Sequence, residues 1–168
     1  MPTTPNNTPT FHALVIKLTA QESGSLAAGV GEMAHAAFYA AIQAVDPDLS
    51  AHMHDAQQRK AFSLSPLYGY RQQHGRLRVR AGDQGWLRLG LLDDQIFGVF
   101  MQHLLDSRQP VIRLGPVHFA ITEVLGTPGG HPWVGYATLA QLRALDETPQ
   151  RWRLEFASPT AIRWGEAD

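Results

Sequence analysis

The sequence predicts an α+β domain of the ferredoxin-like βαββαβ kind, in which an antiparallel sheet carries helices on one face. Three observations predict it. Apolar residues recur at helical spacing in two places, from Val30 to Val45 and from Ile96 to Leu105. Runs of strand character precede, separate and follow those two helices. The chain has 168 residues, 44% of them apolar, which suffices for one domain with a sizeable core and not for two of ordinary size.

Residues 1–10 are rich in Pro, Thr and Asn without periodicity, and a disordered tail is expected there, leaving 11–168 as the single domain. FHALVIKLTA, from Phe11, reads as a mostly buried first strand in which Lys17 is the one charge. A loop with Ser23, Gly24, Ser25 and Gly29 leads to a helix expected from Gly31 to Val45. Its buried stripe is Val30, Met33, Ala34, Ala37, Phe38, Ala41, Ile42 and Val45, whereas His35, Tyr39 and Gln43 recur every four residues on another face. Core packing therefore does not account for Tyr39. Asp46-Pro47 ends the helix, because a residue before proline is pushed out of the helical region, and DLSAHMHD starts a short second helix at Asp48.

AFSLSPLYGY is the next strand candidate. RLRVR follows, alternating Arg76, Arg78 and Arg80 with Leu77 and Val79, so the three guanidinium groups leave one face of a strand. Gly82-Asp83-Gln84-Gly85 turns the chain and WLRLGLL returns, which reads as a hairpin. Asp93 and Asp94 open the second amphipathic helix, where the helix dipole favours negative charge. VIRLGPVHFAITEVLG reads as a strand interrupted at Gly115-Pro116 by an edge position or bulge. TPGGHP marks a loop, a short helix is expected from about Thr138 to Leu145, and WRLEFASPTAI is expected to be the final strand.

No run approaches the roughly 18 apolar residues of a membrane span, and the N-terminus lacks the features of a signal peptide. A cytoplasmic protein without membrane association is expected. The absence of cysteine excludes disulfides, thiolate catalysis and cysteine-bound zinc. The formal net charge of −1 hides an uneven distribution. Arg59, Lys60, Arg71, Arg76, Arg78, Arg80 and Arg88, half of the 14 basic residues, face a single acid, Asp83, between positions 59 and 88. Either this is a surface for a polyanion, or it is a set of solvated arginines on an exposed hairpin. His52 and His54 form an H-x-H with no third histidine nearby, which argues against a metal centre. LGTPGG matches neither a Walker loop nor a dinucleotide fingerprint, and no cofactor is expected.

Three passages carry a resemblance. FYAAIQAVDPDLSAHMHD is an aromatic-bearing helix followed by a D-P-x-L turn and a histidine-acid pair, KAFSLSPLYGY is similar to an F-T/S-x-S-P-L-x-G strand, and LEFASPTAIR is similar to an L-x-F-x-S/T-P-T-x-F/I-R segment. In this order the chain resembles the CRISPR-associated RAMP-superfamily endoribonucleases that process precursor CRISPR RNA, over residues 35 to 163. The resemblance implies a RAMP/RRM-like fold, a CRISPR repeat RNA as partner, and a site built from a helix tyrosine, a following histidine and a lysine before the second strand. Carried over, these are Tyr39, His54 and Lys60, with His35, His52 and Arg59 near enough to substitute. It further implies that Arg59, Arg71, Arg76, Arg78, Arg80 and Arg88 hold RNA.

Family members carry a second ferredoxin-like domain with a glycine-rich loop, and RNA lies against both. This chain then corresponds to their N-terminal half, either as part of a longer protein or as a reduced one. Its partners are that second domain or other CRISPR effector subunits, and a homodimer is compatible with the sequence. The chemistry implied is metal-independent attack of a ribose 2′-hydroxyl on the adjacent phosphorus, leaving a 2′,3′-cyclic phosphate and a 5′-hydroxyl. Histidine suits the proton transfer, with an ordinary pKa of about 6.5, lysine the phosphorane charge, and tyrosine the nucleophile side. The alternatives are a non-catalytic crRNA-binding subunit of an effector complex and a ferredoxin-like interaction domain without RNA.

Overall fold

The computed structural model describes residues 9–27, 29–55 and 60–144. Its main sheet is built around β1 (Thr10–Ala20), which pairs antiparallel with β6 (Gln84–Leu91) on one side and with β8 (Val117–Leu125) and β9 (Gly135–Thr138) on the other. The strand order is β3-β6-β1-β8-β7, with β3 spanning Phe62–Leu64 and β7 spanning Val111–Leu114. Leaving aside β7 and β9, the order β8-β1-β6-β3 is fourth-first-third-second, the arrangement a βαββαβ chain produces when each helix returns over the same face.

That face is dictated by period-two patterning. In β1 the residues Leu14, Ile16, Leu18 and Ala20 are buried and belong to the core, and opposite them in register stand Leu89, Leu87 and Gly85 of β6. Helices α1 (Gly31–Val45) and α3 (Asp94–Asp106) cover this face, with α1 burying Ala34, Phe38, Ala41 and Ile42 and α3 burying Ile96 and Phe100. The rings of Phe38 and Phe62 lie 4.8 Å apart and those of Phe38 and Phe100 lie 5.5 Å apart, so aromatic packing joins both helices to the edge strand β3. Asp93 caps α3 as its charge suggests, its Oδ1 accepting from the backbone N–H groups of Gln95 and Ile96. No helix among the described residues is long and apolar enough to cross a membrane.

Several elements differ from the sequence expectation. The loop before α1 contains β2 (Gly24–Ala27), and β9 precedes α4 (Leu139–Arg143) where only a loop and helix were expected. RLRVR does not pair with WLRLGLL. As β5 (Arg76–Val79) it pairs with β4 (Arg71–Gln73) and β2 in a separate three-stranded sheet. The turn after β5 is tied to the end of β1, where Ala20 N–H donates to the Asp83 carbonyl and Gly82 N–H to the Ala20 carbonyl. These bonds send β6 into the main sheet beside β1. Alternation identifies which face of RLRVR is apolar, but carries no information about the partner strand.

Gly115-Pro116 is the tip of a β7–β8 hairpin rather than a bulge within one strand. Gly115 has φ of 58°, and the proline ring holds the next φ negative, which is the sequence of signs a II′ turn needs. AFSLSPLYGY contributes the three residues of β3 and a single bridge from Tyr68 to Trp86 of β6, not a continuous strand. Thr10, assigned to the tail by composition, is already in β1. Residues 1–8 and the expected final strand WRLEFASPTAI lie outside the described residues.

Candidate active site and basic surface

Helices α1 and α2 (Pro47–His54) are joined by one residue. Asp46 is extended, at φ −137° and ψ 90°, and both ends α1 and caps α2, its Oδ1 accepting from Leu49 N–H at 2.9 Å. Proline at the first helical position needs no hydrogen bond there. From this hinge Tyr39 lies seven residues back and His54 eight residues on, about 10 and 12 Å along their helices at 1.5 Å per residue. Two helices folded back on each other therefore bring the two side chains level. Their rings lie 3.8 Å apart.

Lys60 completes the cluster from just before β3. Its Nζ donates to the Tyr39 hydroxyl at 2.8 Å and to the Met53 carbonyl at 3.0 Å, while the Tyr39 hydroxyl itself donates to the same carbonyl at 3.0 Å. His54 Nδ1 is 2.8 Å from the Ser50 carbonyl. A carbonyl only accepts, so this contact places a proton on Nδ1, and in the neutral ring Nε2 is then the acceptor. Tyr39 is half-buried, with its ring also edge-on to Phe62 at 5.4 Å, whereas His54 and Lys60 are exposed. The result is an open site in which the Tyr39 phenol touches both the His54 imidazole and the Lys60 ammonium.

The structure thus brings together the three residues singled out by sequence. His35, one turn before Tyr39, rests on the Phe62 ring at 5.1 Å, and burial first and the Lys60 charge second hold its pKa below the ordinary histidine value. His52 is exposed and lines a small hollow with Lys60, Phe62 and Asp93. Arg59 lies outside the described residues. Sequence reasoning missed the two backbone carbonyls, of Ser50 and Met53, that orient the cluster. A main-chain acceptor has no residue signature, so only the path of α2 reveals them. Among the described residues no group of three His, Cys, Asp or Glu is placed to hold a metal.

The arginines divide. Arg71, Arg78 and Arg80 line one open hollow with Tyr70, Asp83 and Gln84. Arg76 points along the same strand but is occupied, with Nε donating to Ser25 Oγ at 2.7 Å and Nη2 to the Ser25 carbonyl at 3.0 Å. Arg88 stands in the main sheet, its Nε donating to the Trp133 carbonyl at 3.1 Å. The run of basic residues is one patch in sequence and two or more surfaces in space.

A family model described as the CRISPR Cas6 N-terminal domain matches residues 10–144. Among solved structures the chain is similar to a Thermus thermophilus Cas6 (TTHB231) in a product complex, at 31% identity and a TM-score of 0.60, covering 82% of this chain and 47% of that one. It is similar to a second Cas6 product complex (TTHA0078) at 26% identity and a TM-score of 0.53, covering 83% of this chain and 48% of that one. A Cas6-related protein from Pyrococcus furiosus, at 13% identity and a TM-score of 0.56, shares the fold over 68% of this chain and 46% of its own. The chain spans about half the length of these structures. No curated protein sequence matches it.

Proposed function

Because this chain belongs to the CRISPR Cas6 N-terminal domain family, we propose that it is the catalytic part of an endoribonuclease that cuts precursor CRISPR RNA within its repeats. The observation that carries this reading is the Lys60–Tyr39–Met53 hydrogen-bond network with the His54 ring against it. That similar structures are Cas6 product complexes supports a cleaving enzyme.

The residues support a specific sequence of events. His54, whose Nδ1 is held against the Ser50 carbonyl, has Nε2 available as the group for proton transfer at the ribose. The 2′-oxygen attacks the adjacent phosphorus as it loses its proton, and the bond from phosphorus to the 5′-oxygen breaks. One product ends in a 2′,3′-cyclic phosphate and the other in a 5′-hydroxyl once the departing oxygen gains a proton. Lys60 has one N–H beyond the two given to Tyr39 and Met53, and that N–H and its charge serve the phosphorane oxygens. Tyr39 holds Lys60 in place and stands on the nucleophile side.

The test is incubation of the chain with a labelled CRISPR repeat RNA in EDTA, wild type beside His54→Ala. A single cut ending in a cyclic phosphate, absent from the variant, is the expected result. Cleavage that needs a divalent cation overturns the mechanism. Salt-sensitive binding without cleavage identifies an RNA-gripping domain instead, and indifference to RNA at low salt removes RNA from the reading altogether.

A further inference from the structure

The second sheet contains an arrangement that folding alone disfavours. Arg71 of β4 and Arg78 of β5 are direct cross-strand partners. Side chains so paired begin about 5 Å apart on the same face, where like charges repel and destabilise the pair. Arg80 follows Arg78 by two residues on that face, about 7 Å along the strand, and lines the same hollow. The intervening Leu77 and Val79 are buried, so the register cannot slip to relieve the repulsion without exposing them.

Among the described residues, no ion pair or hydrogen bond occupies the side chains of Arg71, Arg78 or Arg80. The one acid lining the hollow, Asp83, is partly engaged, with Oδ2 accepting from the Arg80 backbone N–H at 2.8 Å. Tyr70 lines the hollow as well, and burial, then the Asp83 charge, push its phenol up to about 12, so it remains neutral. Gln72, Gln73 and Gln84 supply uncharged donors around the rim. Three guanidiniums without a partner of their own line a hollow whose one opposing charge among the described residues is the Asp83 carboxylate, already tied to the backbone.

We propose that Arg71, Arg78 and Arg80 form a phosphate-binding site that grips neighbouring phosphates of one RNA strand, apart from the Tyr39–His54–Lys60 cluster and without Arg76 or Arg88. The inference rests on the reading of this chain as an RNA-handling domain. Spacings of about 5 and 7 Å between adjacent arginine positions are on the scale that separates successive backbone phosphates. Guanidinium groups meet phosphate oxygens in pairs, which sets the position of the strand and leaves its sequence unread. Arg76 and Arg88 are set apart because neither lines this hollow: Arg76 gives its Nε and Nη2 to Ser25, and Arg88, in the main sheet, lines a different hollow.

The experiment measures binding of a labelled RNA hairpin with a single-stranded flank to the full chain across a salt series. Arg71→Gln and Arg78→Gln are compared with wild type and with Arg108→Gln, an exposed arginine of another surface that controls for net charge. Each site variant is expected to weaken binding about 3- to 10-fold near physiological salt and to lower the log–log salt slope by about 1, equally for hairpins of unrelated sequence. Melting temperature should hold or rise in both, since a like-charge pair is removed; a structural role for these arginines would lower it. Wild-type binding with slopes unchanged in Arg71→Gln and Arg78→Gln, or reduced as much in Arg108→Gln, overturns the site while leaving the RNA reading intact. Absence of any RNA binding by wild type at low salt overturns both.

Discussion

Replacing Lys60 with methionine isolates the ammonium from everything else in the cluster. Methionine keeps the apolar stem of the lysine and removes two hydrogen bonds, at 2.8 Å to the Tyr39 hydroxyl and 3.0 Å to the Met53 carbonyl. Neither acceptor is left orphaned, because Tyr39 still donates to Met53. A neutral hydrogen bond is worth about 1 kcal/mol net, and these two sit on an exposed ammonium, so the combined loss should not exceed about 1 kcal/mol. For a chain of this size that is a fall of about 2–4 °C in melting temperature. The effect on cleavage should be far larger, about 100-fold or more, because a charged donor facing a developing oxyanion is lost.

A third quantity responds in a definite direction. The Lys60 charge is the second cause of the lowered His35 pKa, after burial, so in the variant His35 should titrate higher than in wild type yet still below an ordinary histidine. Melting by circular dichroism, single-turnover cleavage and NMR titration of the histidine ring protons measure the three. A much larger loss of stability, retained cleavage, or a His35 titration that does not move up would refute this role for the Lys60 ammonium.

Tyr39→Phe removes the hydroxyl and keeps the ring against His54 and Phe62, so a single-turnover rate loss above about 100-fold would assign Tyr39 to proton transfer, and a smaller one to holding Lys60. His35 also gives stability a pH dependence. Above about pH 6.5 it is neutral in folded and unfolded chains alike, and as pH falls through that value the unfolded chain takes up a proton that the folded one refuses. Stability should therefore drop on acidification until the lowered folded value is passed, and denaturant titrations of His35→Phe should show a shallower acid slope. Asp93→Ala removes the cap of α3 and should cost about 1 kcal/mol, read as a melting temperature about 2–4 °C lower. Gly85→Ala should cost about 1–3 kcal/mol or more in a denaturant melt, because its methyl group would collide with the Tyr70 ring and the Tyr68 carbonyl.

Much of the candidate site was legible because it is local. Tyr39 stood out as a ring off the apolar stripe of α1, and Asp46-Pro47 marked the hinge that folds α2 back on it. Both signals act within a few residues, through helical periodicity and the steric effect of proline. The contacts that make the three side chains a unit were not legible. The Met53 and Ser50 carbonyls are main-chain groups that every residue possesses; the packing of α1 against α2 aims the first at Tyr39 and Lys60, and one turn of α2 itself brings the second to His54.

The division in the fold follows the same line. Period 3.6 in α1 and α3, period 2 in β1 and β6, and the strand-helix order were enough for the ferredoxin-like class, because burying one apolar face of each element leaves few arrangements. Strand partnership was a different matter. RLRVR presents the same alternation whether it pairs with WLRLGLL or with RQQ and GSLA, and the choice rests on hydrogen bonds between the Gly82–Asp83 turn and Ala20, some 60 residues away in sequence. That choice also separates Arg88 from Arg71, Arg78 and Arg80. Local patterning sets which face of a strand is buried; backbone groups, alike at every residue, decide which strands meet, and with them which charges share a surface.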